Sequence, residues 1–199
     1  MRIIAGEHRS RRIIPPADEQ TTRPITDRVK VALFDRLWSL GALAGQHALD
    51  LFAGTGSLGL ECLSRGVARC TFVERNRDSR SRLEENLKTL QLADRATVLG
   101  VDALALGYLR TLPRPAVDLV TVDPPYALVR EHPDRIAALL EAVAEVAAPA
   151  ATLVLRTDAE TPAPPSPAWG DPETRPYGSM TLHFFQRAAG PPMHTDEVG

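Results

Sequence analysis

Cysteine is scarce in this 199-residue chain, which has only Cys62 and Cys70. Eight residues apart and both in apolar neighbourhoods, they exclude a disulfide framework and read as buried thiols of a protein kept in a reducing cytoplasm. Long apolar runs are missing as well. The richest stretch, Ile136 to Ala151, is broken by Glu141, Glu145 and Pro149, which excludes a membrane span of roughly 20 residues. The N-terminus enters Arg2, Glu7 and Arg9 without an apolar core region, so no signal peptide is expected. No sign of charge dominates either. Lys and Arg number 23 against 25 Asp and Glu, a net −2 that taken alone argues against a strongly basic nucleic-acid binder. Nearly all the cations are arginine, with Lys30 and Lys88 the only lysines, a bias consistent with GC-rich coding.

The 44% hydrophobic and 24% charged content fits one compact soluble domain with a full core and a small appendage. The even charge hides an asymmetry: residues 1–16 hold Arg2, Arg9, Arg11 and Arg12 against Glu7, a local +3, which leaves −5 for the rest of the chain. Arg2 to Ile14 sets β-branched pairs around a polar middle with Gly6, predicting a hairpin with an arginine-rich outer surface. Those arginines serve either as a solvated face or as phosphate contacts. Pro15 and Pro16 close the hairpin, and Thr26 caps a helix bearing Val29, Leu33, Leu37 and Leu40.

From His47 onward the hydrophobic period switches repeatedly between two and 3.6. Strands are predicted at His47 to Phe52, Arg69 to Glu74, Ala96 to Val101, Val117 to Val122 and Ala151 to Arg156. Between them lie a helix capped by Ser57 and ending at Gly66, a helix opened by Asn76 with Leu83, Leu87 and Leu90 inward, and a helix after Pro133. This alternation predicts an α/β fold of βαβ units, a parallel sheet covered on both faces, with ligands at the carboxyl ends of the strands. Thr161 to Pro176, with six prolines in sixteen residues, is expected to hold no regular structure, and Met180 to Gln186 to form a last, antiparallel strand. The chain thus divides into a basic hairpin and linker over 1–25, a main domain over 26–187, and a tail over 188–199 expected to be disordered.

After the first strand comes Asp50-Leu51-Phe52-Ala53-Gly54-Thr55-Gly56-Ser57-Leu58-Gly59, a G-x-G-x-x-G pattern that lets a ligand approach backbone N–H groups at a helix N-terminus. Nicotinamide, flavin and S-adenosylmethionine proteins share it. Asp50 separates them, because a carboxylate repels a pyrophosphate and attracts the amino group of a methionine moiety. Phe52, Ala53, Gly54, Thr55 and Gly56 are therefore read as an S-adenosylmethionine loop. Glu74, with Arg75 beside it, ends the second strand where a carboxylate accepts both ribose hydroxyls. Asp102 is placed to accept the adenine amine, with the Ala103 N–H serving a ring nitrogen; a plain helix cap would look the same.

The fourth strand runs into Asp123-Pro124-Pro125-Tyr126, a tetrapeptide expected by chance in about one chain per thousand of this size. An amine conjugated to a base ring is a poor nucleophile, and acceptors on its two N–H groups direct its lone pair at a methyl carbon. The Asp123 carboxylate and the Pro124 carbonyl, stiffened by two prolines, suit that task, and Tyr126 offers a face for a flipped-out base. No metal is required, and His8, His47, His132, His183 and His194 show no ligand spacing.

At this point the sequence resembles the bacterial methyltransferases that modify the exocyclic N2 of a guanine in small-subunit (16S) ribosomal RNA, the RsmD-like proteins. The likeness covers Arg2 to Gly6 with the basic hairpin, Thr22-Arg23-Pro24, Thr26 to Val29, Ala32-Leu33-Phe34, Asp50 to Gly59, Leu63 to Gly66, Phe72 to Glu74, Asp123 to Tyr126 and Tyr177-Gly178. It implies a Rossmann-like, doubly wound class I methyltransferase fold with a mostly parallel seven-stranded sheet. It also implies Asp50, Gly54, Gly56, Glu74 and Asp102 as cofactor contacts, Asp123 to Tyr126 as the catalytic base clamp, and Arg2, Arg9, Arg11, Arg12, Arg23 and Arg28 as the RNA-facing side. The partner would be 16S ribosomal RNA or the assembling small subunit, met by a monomer in the cytoplasm. Ser10 stands where the family has glycine, Val31 where an acid is common and Asp35 where asparagine is common. Three alternatives remain: the same chemistry on DNA adenine N6 or another RNA, a nicotinamide-dependent oxidoreductase, and a non-catalytic RNA-binding module.

Overall fold

The computed structural model describes residues 1–17, 25–45, 47–112 and 117–187. Within them seven strands form one sheet: β1 (His47–Leu51), β2 (Arg69–Val73), β3 (Ala96–Leu99), β4 (Val117–Val122), β5 (Ala147–Asp158), β6 (Glu173–Tyr177) and β7 (Met180–Gln186). Their order is β3-β2-β1-β4-β5-β7-β6, with the first five parallel and β7 antiparallel to both its neighbours. In β4 the side chains of Val117, Leu119, Val120 and Val122 are all buried, as a central strand covered on both faces requires.

The two layers divide cleanly. On one face α1 (Asp27–Ser39), α2 (Ser57–Ser64) and α3 (Arg77–Thr89) bring Leu33, Leu60, Leu63 and Leu83 onto Phe72, Leu119, Val154 and Leu182. On the other, α5 (Pro133–Ala144) sets Ile136, Leu139, Leu140 and Val143 against Leu49, Val120 and Leu153, with the short helix α4 (Tyr126–Glu131) leading into it. The chain crosses from β1 outward to β2 and β3, then back past β1 to β4. The strand order therefore reverses between β1 and β4, and the crevice at their carboxyl ends is where such sheets hold ligands.

The N-terminal segment turns back on itself by a single Arg2–Arg12 bridge, with Ile3 N–H donating to the Arg11 carbonyl at 2.9 Å. Ile3 and Ile13 enter the same apolar core as α1 and α2, so the hairpin is packed onto the sheet's cover. Thr26 caps α1 through its hydroxyl, and Asn76 caps α3 by accepting from Ser79 N–H at 2.9 Å.

Three expectations need correction. Ser57 does not cap α2. Gly56, at φ 87°, is the cap residue, and Ser57 is already helical; left-handed backbone at that corner favours glycine. The proline-rich stretch does contain regular structure, because Glu173–Tyr177 pairs with β7 at the sheet's outer edge, where Pro176 needs no second ladder partner. β5 starts at Ala147, ahead of Ala151, with a register shift opposite Val117 and Leu119 and with Ala150 at φ 62°. Arg23 and the 188–199 tail lie outside the described residues.

Candidate active site

The turn after β1 is built from three glycines with three different tasks. Gly54 has φ 55° and a Cβ placed on it would meet no atom within 4 Å, so one side of the loop is open to a ligand. Gly56 is pressed against Leu83 of α3, 2.4 Å from where its Cβ would lie, and Gly59 lies 2.3 Å by the same measure from Phe72 of β2. These contacts let α2 and α3 close on the sheet directly behind the loop, which leaves the α2 N-terminal N–H groups facing the crevice. Gly56 brings no side chain to that terminus, and Thr55 Oγ1 and Ser57 Oγ are buried beside it without a hydrogen-bond partner among the described residues. Donors of this kind fit a carboxylate such as that of a methionine moiety.

Asp50, near the end of β1, is turned inward. Its carboxylate is 1% exposed and sealed beneath the loop, accepting from Gly59 N–H at 2.9 Å and Thr121 Oγ1 at 2.6 Å. It ties β1 to β4 and to α2. Burial pushes its carboxyl up to about 7, against the two hydrogen bonds that favour the charged form. Phe52, at φ 58°, makes the turn between Asp50 and the glycines, and Ala53 N–H closes it by donating to the Val73 carbonyl at 3.1 Å.

Glu74 follows β2 and faces the same loop: Oε2 accepts from Gly54 N–H at 2.9 Å and Oε1 from Asn76 N–H at 2.7 Å. Each oxygen keeps a second lone pair, enough for a pair of hydroxyls. Asp102 comes next along the edge, accepting from Leu104 N–H at 3.0 Å as the cap of a short 3-10 helix and pairing with Arg75 at 3.0 Å. Arg75 and Asp102, both predicted at the site, are thus brought together at its rim, while Ala103 is buried against the second layer.

On the other side of the crevice Asp123 continues β4, its N–H donating to the Leu51 carbonyl at 3.2 Å, so that the Asp-Pro-Pro-Tyr turn and the glycine loop spring from neighbouring strand ends. Pro125 is the cap residue of α4 and Tyr126 its first residue. The sequence reading missed Arg156. From β5 it donates to Asp123 Oδ1 at 2.5 Å and holds its guanidinium 5.4 Å from the centre of the Tyr126 ring. Burial pushes the Asp123 carboxyl up, and Arg156 opposes that shift. An arginine ending the apolar run Leu153-Val154-Leu155, beside the strand that ends in Asp123, was the signal available.

Arg2, Arg9, Arg11, Arg12 and Arg28 are all exposed. Arg2 pairs with Asp27 at 2.8 Å and Arg11 donates to the Thr89 carbonyl at 3.2 Å. Met1, Arg2, Ser10, Arg12, Ile13, Pro15 and Asp27 line an open groove between hairpin and α1.

The model of a family described as Conserved hypothetical protein 95 matches residues 1–186. Ribosomal RNA small subunit methyltransferase D of Escherichia coli K12 is 34% identical over 190 residues, 95% of this chain and 91% of that protein. The Haemophilus influenzae protein of the same name is 36% identical over 127 residues, covering 63% of this chain and 64% of its own. The solved structure of the Escherichia coli protein yhhF superposes with a TM-score of 0.76 at 32% identity, over 95% of this chain and 98% of that one.

Proposed function

The chain belongs to the Conserved hypothetical protein 95 family, and from that membership and the geometry of the crevice we propose that it transfers a methyl group from S-adenosylmethionine to the exocyclic N2 amine of a guanine in 16S ribosomal RNA. The observation that carries this reading is the placement of Asp123 to Tyr126 and the glycine loop on adjacent strand ends at the sheet's switch point.

S-adenosylmethionine, when bound, supplies an electrophilic methyl group on a sulfonium. Thr55, Ser57 and the α2 N-terminus would hold its methionine carboxylate, Glu74 its ribose, and Asp102 with the Ala103 N–H its adenine. Asp123 and the Pro124 carbonyl accept the amine's N–H groups and orient its lone pair, while the prolines keep both acceptors fixed. Arg156 holds the Asp123 carboxylate from behind and narrows the space over Tyr126. The exposed arginines of the hairpin and Arg28 on α1 meet the phosphates of the RNA or of the assembling small subunit. We place this work in the cytoplasm, carried out by a monomer without a metal. Among the described residues no helix is long and apolar enough to cross a membrane.

Incubation with methyl-labelled cofactor and small-subunit RNA or assembling 30S particles should yield methyl-guanine. Cofactor binding without methyl-guanine overturns the substrate assignment, and methyl-adenine in its place moves the chemistry to another amine. Asp123→Ala should lower kcat by about 100-fold or more while leaving cofactor affinity nearly unchanged. Loss of both would show Asp123 to be structural.

A further inference from the structure

Asn86 is 2% exposed on α3, between the crevice and the N-terminal hairpin, and it has no part in the chemistry just described. Its oxygen and both of its N–H hydrogens are engaged. Oδ1 accepts from Ile14 N–H at 2.7 Å, and Nδ2 donates to the Ile14 carbonyl at 3.2 Å and to the Thr55 carbonyl at 3.0 Å. One side chain therefore grips both backbone groups of Ile14, where the hairpin ends, and the middle of the glycine loop. A buried amide so bonded has one orientation, because turning it over would set donors against donors and acceptors against acceptors.

The surroundings make the link stiff. One turn earlier Leu83 packs on Gly56 so closely that a Cβ there would lie 2.4 Å from Leu83 Cδ1. Arg11 donates to the Thr89 carbonyl at the other end of α3, at 3.2 Å. Helix α3 is thus fixed to the loop on one side and to the hairpin on the other, with Asn86 bonded to both.

We propose that Asn86 is a positioning residue that couples the cofactor loop to the RNA-facing hairpin, so that filling the loop orders the surface that receives the RNA. This rests on the reading of loop and hairpin given under the proposed function. Cofactor in the loop fixes the Thr55 peptide, which fixes the Asn86 amide, which holds Ile14 and with it the return arm of the hairpin. Linkage makes the effect reciprocal: RNA on the hairpin strengthens cofactor binding by the same factor.

The test uses the full chain with S-adenosylhomocysteine and a small-subunit RNA fragment. In the wild type, S-adenosylhomocysteine should slow hydrogen exchange at the Ile14 amide as well as in the loop, and should raise RNA affinity about fivefold or more. Asn86→Asp keeps the acceptor for Ile14 N–H and deletes both donated bonds, so the factor should fall to about one while S-adenosylhomocysteine still binds. General destabilisation lowers both affinities and leaves their ratio alone. The inference is overturned by protection confined to the loop with unchanged RNA affinity, or by wild-type coupling persisting in Asn86→Asp. If that variant does not fold, exchange in the wild type decides. A wild type that binds no S-adenosylhomocysteine overturns the proposed function itself, and this inference with it.

Discussion

Ser10 turns the hairpin with φ 69°, a left-handed conformation that glycine adopts freely and serine does not. The resemblance places glycine at this position, and the dihedral explains why. Ser10→Gly should stabilise the fold by about 1 kcal/mol, measured by denaturant unfolding, and a destabilised variant would show that the serine side chain contributes more than its backbone costs. Asp50 makes a prediction in pH. Its folded carboxyl titrates at about 7 and an unfolded aspartate at about 4, so the folded state holds the proton more tightly. The resulting stabilisation is complete below about pH 4 and is lost as pH rises through about 7. Asp50→Asn, which keeps an acceptor for Gly59 and a partner for Thr121, should flatten the dependence between those limits in melts run from pH 4 to 8. An unchanged pH profile would assign it to another group. Arg156 opposes the upward shift of Asp123, so Arg156→Met should move the rising limb of kcat/KM to higher pH and lower activity at pH 7 by about tenfold or more. The sequence showed Asp123 through its motif and concealed Arg156. The pairing joins residues 33 positions apart on neighbouring strands, and no local pattern records a register.

The hairpin, α1 and α2 were each legible from periodicity, but what locks them together was not. Glu61 of α2 is fully buried and accepts from Ile4 N–H at 2.8 Å, Ala5 N–H at 2.9 Å and Arg65 Nε at 2.8 Å. Lys30 of α1, also buried, lies 4.0 Å from Glu61 and donates to the Arg2 carbonyl at 3.2 Å. Both read in isolation as solvated charges. Their positions tell more: Lys30 falls on the stripe of Val29, Leu33, Phe34 and Leu37, and Glu61 sits between Leu60 and Cys62. Removing one partner strands the rest, so Glu61→Ala should cost about 3–5 kcal/mol and release exchange protection at Ile4 and Ala5 before that of the central strands. A cost under 1 kcal/mol would mean the clamp contributes little beyond the packing of Ile3 and Ile13. Strand β6 escaped the sequence reading for a related reason. Proline content argues against strands in general, whereas the sheet's edge tolerates one, and only the topology shows which strand is the edge. Gly56 likewise displaced Ser57 as the α2 cap because backbone handedness outweighed side-chain preference there.

The near-zero net charge conceals a polarity that the fold makes spatial. The carboxyl ends of β2 to β4 lead into Glu74, Asp102 and Asp123 around the crevice, an environment suited to a cationic sulfonium, while the local +3 of residues 1–16 is gathered on the hairpin. The exposed arginines there are not equivalent. Arg2 is paired with Asp27, and Arg11 is committed to the end of α3. Arg9 and Arg12 are exposed with no ion-pair partner among the described residues, so they have the least to give up in meeting a phosphate. Each phosphate neutralised on a single strand releases counterions and adds about 0.7 to the slope of log affinity against log salt. Removing both by Arg9→Ala with Arg12→Ala should therefore flatten the slope for small-subunit RNA by about 1.4 to 2 and leave S-adenosylhomocysteine affinity untouched. Arg69 supplies the control: it is equally exposed but stands at the amino end of β2, on the edge opposite the crevice. Arg69→Ala should leave the slope where it was. Equal flattening by both variants would reduce the hairpin's role to its share of the overall charge, and flattening by the hairpin pair alone would locate the RNA on it.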